Sequence, residues 1–353
     1  MALKRQKKPK VLMVGTGGTL SAKIVNGAWK PGELNNEEIL KLTPELSQFV
    51  TLKSTNLLRI DSSNMQPEMW LTLAQIIYYD LPNVDGVVVT HGTDTMQYSA
   101  SALSFLIQNL NVPIVFTGSQ VAPQEIGSDA RKNLMDGVRV AVEGNIAESV
   151  IVFNGKIFRG NRAKKLRELD FDAFMCVGMP PLGKVEQNVM LTGEQFKRGN
   201  RKPVLMNKLE TDVALLKIYP GFKPGIIDHM INEGIKGFVI EGYGAGNIPT
   251  EKRGLTGSIK NATNSGIPVV ITTQCSLGSS WVYLYDVGVK AIEAGAMPGY
   301  DTLSETALVK LMWILGQTRE LKKVKKMMLT NYAGEITPGM RKIDHKTLWE
   351  VTQ

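Results

Sequence analysis

At 353 residues, 43% hydrophobic and 21% charged, the chain is long enough for two domains with substantial cores and has an ordinary soluble composition. No apolar run approaches the ~20 residues that cross a bilayer, and the N-terminus MALKRQKKPK carries charge without the apolar segment of a signal peptide, so a membrane protein is excluded and a cytoplasmic location expected. The formal net charge of +8 invites a nucleic-acid reading, but five basic side chains and no acid fall in the first ten residues, so a solvated tail accounts for most of it and nucleic acid is not expected as a partner.

Taken in chain order, the first apolar run is VLMVGTGGTL, Val11–Leu20, a strand that ends in Gly17, Gly18 and Thr19. It lacks the last glycine of a dinucleotide fingerprint and the Lys-Ser/Thr of a P-loop. Its glycines let backbone approach a ligand closely, and Thr19 then presents a hydroxyl. Residues 21–38, with Gly27, Pro31 and Gly32 and little apolar periodicity, predict a long loop placed as a lid over whatever the first turn binds.

Next comes VVVTHGTDTMQYSASAL, Val87–Leu103, in which a buried strand runs into His91, Thr93 and Asp94 before a helix begins. Two readings stand side by side: a helix cap that satisfies orphan amides, or ligand-binding groups at the carboxyl end of an open sheet. VPIVFTGSQ and ESVIVFNGKIFRGN repeat the strand-then-polar pattern, and FRGNRAKKLRELD supplies Lys164 and Lys165. A threonine hydroxyl becomes a nucleophile only when a neighbour takes its proton, and a deprotonated lysine can do so. An adjacent carboxylate positions a lysine but raises its pKa, so desolvation or a relay would be needed; taken alone, either lysine reads first as a solvated surface group.

The polar stretch 192–212 breaks the rhythm, and VALLKIYPGF restarts it, followed by KGFVIEGYGAGNIP, IPVVITTQCSLGSS and the amphipathic helix RELKKVKKMM. Strands alternating with helices predict an α/β fold with a mainly parallel sheet. The expected domains are 1–191, a linker at 192–212, and 213–353. His91, His229 and His345 are scattered without metal spacing, no serine-hydrolase elbow occurs, and Cys176 and Cys275 form neither a disulfide framework nor a metal motif. Reduced thiols fit the cytoplasm.

TGGT near the N-terminus, THGTDTM after the valine-rich strand and GNRAKK further on together resemble the bacterial-type L-asparaginases of the asparaginase/glutaminase superfamily. The resemblance runs from Val11 to about Thr337 and includes SASALSF, PIVFTGSQ, EGYGAGNIP, LMWILGQT and YAGEIT; RGNR and the missing signal peptide are similar to its cytoplasmic type I branch. It implies a larger N-terminal mainly parallel α/β domain flanked by helices, a smaller C-terminal α/β domain, and a homodimer, often paired into a homotetramer, with active sites at the dimer interface. It also implies hydrolysis of asparagine to aspartate and ammonia without metal or organic cofactor. On matching positions Thr19 is the nucleophile, and Thr93, Asp94 and Lys165 form the second catalytic group. Gly18, Ser62, Ser63, Thr93, Asp94, Ser119 and, from the neighbouring subunit, Asn247 would bind substrate.

Two positions depart from the family pattern. The lid tyrosine falls at Trp29, whose indole N–H donates but cannot accept or relay a proton. The glutamine that many relatives carry beside the substrate serine is Ser63. NGAWKPGEL, YPGFKPGII and TTQC also resemble the asparaginase-like, ammonia-releasing subunit of the Glu-tRNA(Gln) amidotransferase, which usually carries a small β domain before its TGGT turn, whereas ten residues precede Val11 here. A binding protein without turnover is the third alternative, and the presence of Thr19, Thr93, Asp94 and Lys165 together argues against it.

Overall fold

The structure, a computed structural model, describes residues 7–338; the first six residues of the basic tail and His345 lie outside them. Two compact units divide between Asn207 and Lys208, inside the stretch expected as a linker.

In the first unit the strands are β1 (Lys10–Gly17), β2 (Lys23–Val25), β3 (Ala28–Lys30), β4 (Thr51–Ile60), β5 (Gly86–Thr90), β6 (Ile107–Gln108), β7 (Ile114–Thr117), β8 (Ser149–Phe153), β9 (Lys156–Arg159), β10 (Ala163–Lys165), β11 (Phe174–Cys176), β12 (Gly183–Val185), β13 (Val189–Leu191) and β14 (Val204–Leu205). Eight of them form one sheet in the order β13-β12-β9-β8-β7-β5-β1-β4. Pairs from β4 to β8 are parallel, and the chain turns antiparallel beyond β8. The valine and isoleucine runs of β5, β7 and β8 are buried throughout, as strands covered on both faces must be.

The helices here are α1 (Asn36–Lys41), α2 (Leu46–Phe49), α3 (Pro67–Asp80), α4 (Met96–Leu106) and α5 (Ala130–Glu143). Leu134, Val138 and Ala141 of α5 join one core cluster with Val11, Met13, Val88, Val115 and Val150 of the sheet. The chain leaving β1 returns at β4 on one side of it, whereas the chain leaving β5 returns at β7 on the other side. β1 and β5 are neighbours, in register from Val11↔Gly86 to Gly15↔Thr90. Connections diverging from adjacent parallel strands open a crevice at their carboxyl ends, the place where open α/β sheets bind ligands.

Residues 21–38 hold more structure than the loop expected of them. β2 and β3 pair as a hairpin, Ile24 opposite Trp29, around Asn26 and Gly27 with φ of 52° and 79°. Asn-Gly supplies the two left-handed residues that a tight hairpin turn demands. Asn35 and Glu38 then close a capping box that starts α1.

The second unit carries β15 (Val213–Lys217), β16 (Gly237–Gly242), β17 (Val269–Thr273) and β18 (Met297–Pro298), parallel and adjacent in chain order. Around them lie α6 (Gly225–Asn232), α7 (Thr256–Asn264), α8 (Asp286–Glu293), α9 (Ser304–Gln317) and α10 (Leu321–Met328). Phe238, Ile240, Val269 and Ile271 of the sheet pack with Ile259 and Ala291 of the helices. α10 is amphipathic as its sequence predicts, with Val324 and Met328 buried and its lysines at the surface. Lys310 on α9 is wholly buried and ion-paired to Glu335 at 2.6 Å. Among the described residues no helix is long and apolar enough to cross a membrane.

Candidate active site

Three turns meet at the crevice between β1 and β5, and they approach so closely that, with the present neighbours, two of their residues have no room for a side chain. Gly18 has a φ of 76°, and a Cβ built on it would lie 2.3 Å from Gly92 N, so no larger residue fits between the first and second turns. A Cβ on Gly92 would meet Ser62 Oγ at 2.5 Å, which brings in the third turn, Ser62–Asn64. Polar bonds fix the same arrangement. Gly18 N–H donates to Ile60 O (3.0 Å), Thr16 Oγ1 to Thr90 O (2.9 Å) and Thr95 Oγ1 to Ser62 O (2.7 Å).

Thr19 follows Gly18 directly, half-buried at the start of a 3-10 turn. Ser21 ties this turn to the hairpin: its hydroxyl donates to Gly18 O (2.9 Å) and accepts Gly32 N–H (3.0 Å). Trp29, 44% exposed, makes no hydrogen bond with Thr19 among the described residues. Ser62 is buried, whereas Ser63 is exposed and donates both its N–H and its hydroxyl to Asp61 Oδ1 (2.8 and 2.7 Å).

On the second turn Thr93 is buried and Asp94 exposed. Lys165, at the end of β10, donates to Thr93 Oγ1 at 2.8 Å and pairs with Asp94 Oδ1 at 2.6 Å. The lysine side chain is 13% exposed and the carboxylate 60%. The structure therefore brings together the three residues that THGTDTM and AKK pointed to, across 72 positions of sequence. Strand alternation sends Lys164 to the opposite face of β10.

His91 is a packed neighbour of the site. It is fully buried, edge-on to Phe116, with Nδ1 2.7 Å from Gly92 O and Nε2 2.8 Å from Ser99 Oγ. A carbonyl accepts only, so the proton sits on Nδ1, and Nε2 takes the Ser99 hydroxyl proton. Ser99 in turn accepts Trp70 Nε1–H at 2.9 Å. Burial pushes the His91 pKa down to about 4, which keeps the ring neutral and the Gly92 carbonyl held in place.

Ser119, two residues past the end of β7, is buried, and its hydroxyl has no hydrogen-bond partner among the described residues. The next residue, Gln120, has no place among the residues expected from sequence. Its Oε1 accepts the Thr93 hydroxyl (3.2 Å), and its Nε2 donates to Glu168 O and Asp170 O (2.9 Å each). Its backbone N–H and that of Val121 are bound by the Asp129 carboxylate, which also accepts from Asn133 Nδ2 (2.8 Å). Burial raises the Asp129 pKa above its ordinary value, against the lowering effect of those N–H bonds. The signal in sequence was the one that marked Thr93: small polar residues directly after a buried strand.

Asn247 belongs to the second unit, where Asn247 N–H donates to Tyr243 O (2.8 Å) and Tyr243 N–H to Asn247 O (2.9 Å). Its side-chain Oδ1 has no hydrogen-bond partner among the described residues. Among the described residues no cluster of three or more His, Cys, Asp or Glu is arranged to hold a metal ion.

Residues 10–197 match the family model described as Asparaginase, N-terminal, and residues 212–328 match the Glutaminase/Asparaginase C-terminal domain. The chain is similar to a subunit of the Glutamyl-tRNA(Gln) amidotransferase of Pyrococcus abyssi, at 40% identity over 94% of this chain and 78% of that protein. It is also similar to the L-asparaginase of Thermococcus kodakarensis, at 36% identity over 93% of this chain and 99% of that one. The solved structure titled the thermostable L-asparaginase from Thermococcus kodakarensis matches with a TM-score of 0.88 at 35% identity, covering 94% of this chain and 100% of the other.

Proposed function

This chain belongs to the asparaginase family of amidohydrolases, and we propose that within it the reaction is hydrolysis of L-asparagine to aspartate and ammonia with Thr19 as nucleophile. The observation that carries this reading is the cluster of Lys165, Thr93 and Asp94 on the turn that Gly92 packs against Gly18, one residue from Thr19. Thr19 Oγ bonds to the side-chain carbonyl carbon, its proton leaves with the amine, and the C–N bond breaks to release ammonia. Water then adds to the ester, its proton passing through Thr93 to Lys165; the C–O bond to Thr19 breaks to release aspartate, and that proton returns from the relay to Thr19 Oγ, restoring the hydroxyl. In this reading backbone N–H groups stabilise the developing oxyanion. Gly18, Ser62, Ser63, Asp94 and Ser119 hold the amino acid, with the exposed Asp94 carboxylate taking the α-ammonium group.

The functional unit in this reading is a homodimer or a pair of dimers, with Asn247 reaching the neighbouring copy's site; its unmatched Oδ1 supports that role. The two free cysteines support a cytoplasmic setting. A second reading is favoured by the 40% identity to the Pyrococcus abyssi amidotransferase component: an ammonia-releasing subunit of a Glu-tRNA(Gln) amidotransferase.

One assay separates these readings: ammonia release from asparagine, glutamine and buffer alone by wild type and Thr19→Ala. Asparagine should exceed glutamine in kcat/KM by about 10–200-fold, the worth of one methylene in a fixed pocket. Thr19→Ala should lose at least ~10³ in rate while still binding asparagine. Activity on neither amide moves the tRNA-linked reading to first place, and more than about a tenth of wild-type activity in the variant removes Thr19 as nucleophile. Mixing Thr19→Ala with Asn247→Ala subunits should restore partial activity; no recovery on demonstrated exchange removes the shared site.

A further inference from the structure

We propose that Gln120 is a positioning residue that controls where the Thr93 proton points, and so when Lys165 can receive it; this rests on the asparaginase reading above. The side-chain amide of Gln120 has only one orientation. Glu168 O and Asp170 O, both at 2.9 Å, can be met only by its NH₂ end, because a carbonyl oxygen turned toward two carbonyl oxygens would be repelled. Its Oε1 therefore faces Thr93, and since Oε1 has no proton, Thr93 must be the donor of that bond.

Thr93 has a single hydroxyl proton. With that proton directed to Gln120, the contact between Lys165 and Thr93 at 2.8 Å is a bond in which the lysine donates. In this resting arrangement nothing passes from Thr93 to Lys165. Transfer requires the hydroxyl to rotate off Gln120 toward a lysine nitrogen that has a free electron pair. The Gln120 bond is 3.2 Å, longer than the usual O–H···O distance, so it orients the proton without holding it strongly.

Gln120 also fixes the distance over which the proton moves. It links Thr93 on the second turn to the chain at Glu168 and Asp170, three and five residues past Lys165. Asp129 holds the backbone of Gln120 from the other side. One amide thus both spaces the donor and acceptor of the relay and sets the donor's rotamer.

The test is Gln120→Met, which conserves length and removes all three hydrogen bonds, followed by asparagine kinetics in H₂O and D₂O. We expect kcat to fall roughly tenfold, a fraction of what the relay contributes, with KM within about threefold of wild type and an altered solvent isotope effect on kcat. A slowed, folded variant with the wild-type isotope effect overturns the proposal, since a purely structural clamp would leave the proton step unchanged. Gln120→Glu is the second variant: it keeps an acceptor toward Thr93 while losing both donors, so kcat should differ between the two. Equal loss in both also overturns it. If wild type proves inactive on asparagine, the functional reading fails separately. The Gln120 side-chain amide protons still decide this one, because exchange at bulk-solvent rates would mean that the clamp is not formed.

Discussion

Lys165 in the first unit and Lys310 in the second are both withdrawn from water beside a carboxylate, and their surroundings assign them opposite tasks. Lys310 is completely buried with Glu335, donates to Met328 O and Thr330 O (2.8 and 2.6 Å) and lies over the Tyr332 ring. Glu335 is equally occupied, accepting N–H bonds from Tyr332 and Ala333. Each charge is fully matched, and the chain after α10 is fastened to α9 by that matching. Lys165 instead meets one hydroxyl and a carboxylate left 60% exposed. A saturated buried pair has nowhere to send a proton, whereas a lysine on a hydroxyl beside open space has a path.

The largest expected effect follows from that difference. Lys165→Met should lower kcat by about 10²–10⁴ with little change in unfolding free energy, and Lys164→Met, on the other face of β10, should leave kcat near wild type. Steady-state kinetics beside urea unfolding decide this; equal losses in the two variants would end the distinction.

Lys310→Met should do the reverse. Leaving Glu335 buried without its partner should cost about 3–5 kcal/mol of stability, while the folded fraction keeps its kcat. A Lys310 variant that is as stable as wild type but slow would break the contrast from the other end.

His91 takes a third route for a buried base: with no carboxylate to pair with, it stays neutral. Its pKa of about 4 lies below the ordinary 6.5, so as pH falls the unfolded chain binds this proton first. The stability it contributes is complete above pH 6.5 and is lost between 6.5 and about 4, at most about 1.4 kcal/mol per pH unit and ~3 kcal/mol in all. Asp129 and Asp136, both raised by burial, act in the opposite sense at the acid end, since the folded chain takes up their protons first. Urea midpoints at pH 7, 6 and 5 should therefore fall more steeply for wild type than for His91→Gln. Parallel slopes would show that His91 is already free to titrate.

Much of this was legible because the relevant signals are local. Buried valine runs ending in Gly, Thr and Asp located the carboxyl edge of the sheet, and the alternation with helices gave its parallel sense. The hairpin at β2 and β3 was also written in the chain, in Asn26-Gly27, but a count of apolar periodicity passes over a two-residue turn. For Gln120 only the place was legible, a polar residue just past a buried strand: its importance lies in bonds to Thr93 and to the carbonyls of residues 168 and 170, and nothing in TGSQ states what will face it. The same holds for Lys310, which reads as one more helix-surface lysine until Glu335 folds over it.

The packing of Gly18 on Gly92 bears on how this site can vary by descent. At position 18 any side chain strikes the backbone of residues 91 and 92, so no second substitution can make room for it. At position 92 the nearest obstacles are Ser62 Oγ and Cβ (2.5 and 2.7 Å), with Gly18 Cα at 3.2 Å beyond them, so a methyl group could be admitted only by a lineage in which residue 62 had first lost its side chain and the Gly18 turn gave by a few tenths of an ångström. One glycine is therefore fixed unconditionally and the other only as long as its neighbour is retained, which makes the first a lasting marker of common ancestry and the second a place where relatives can diverge in pairs.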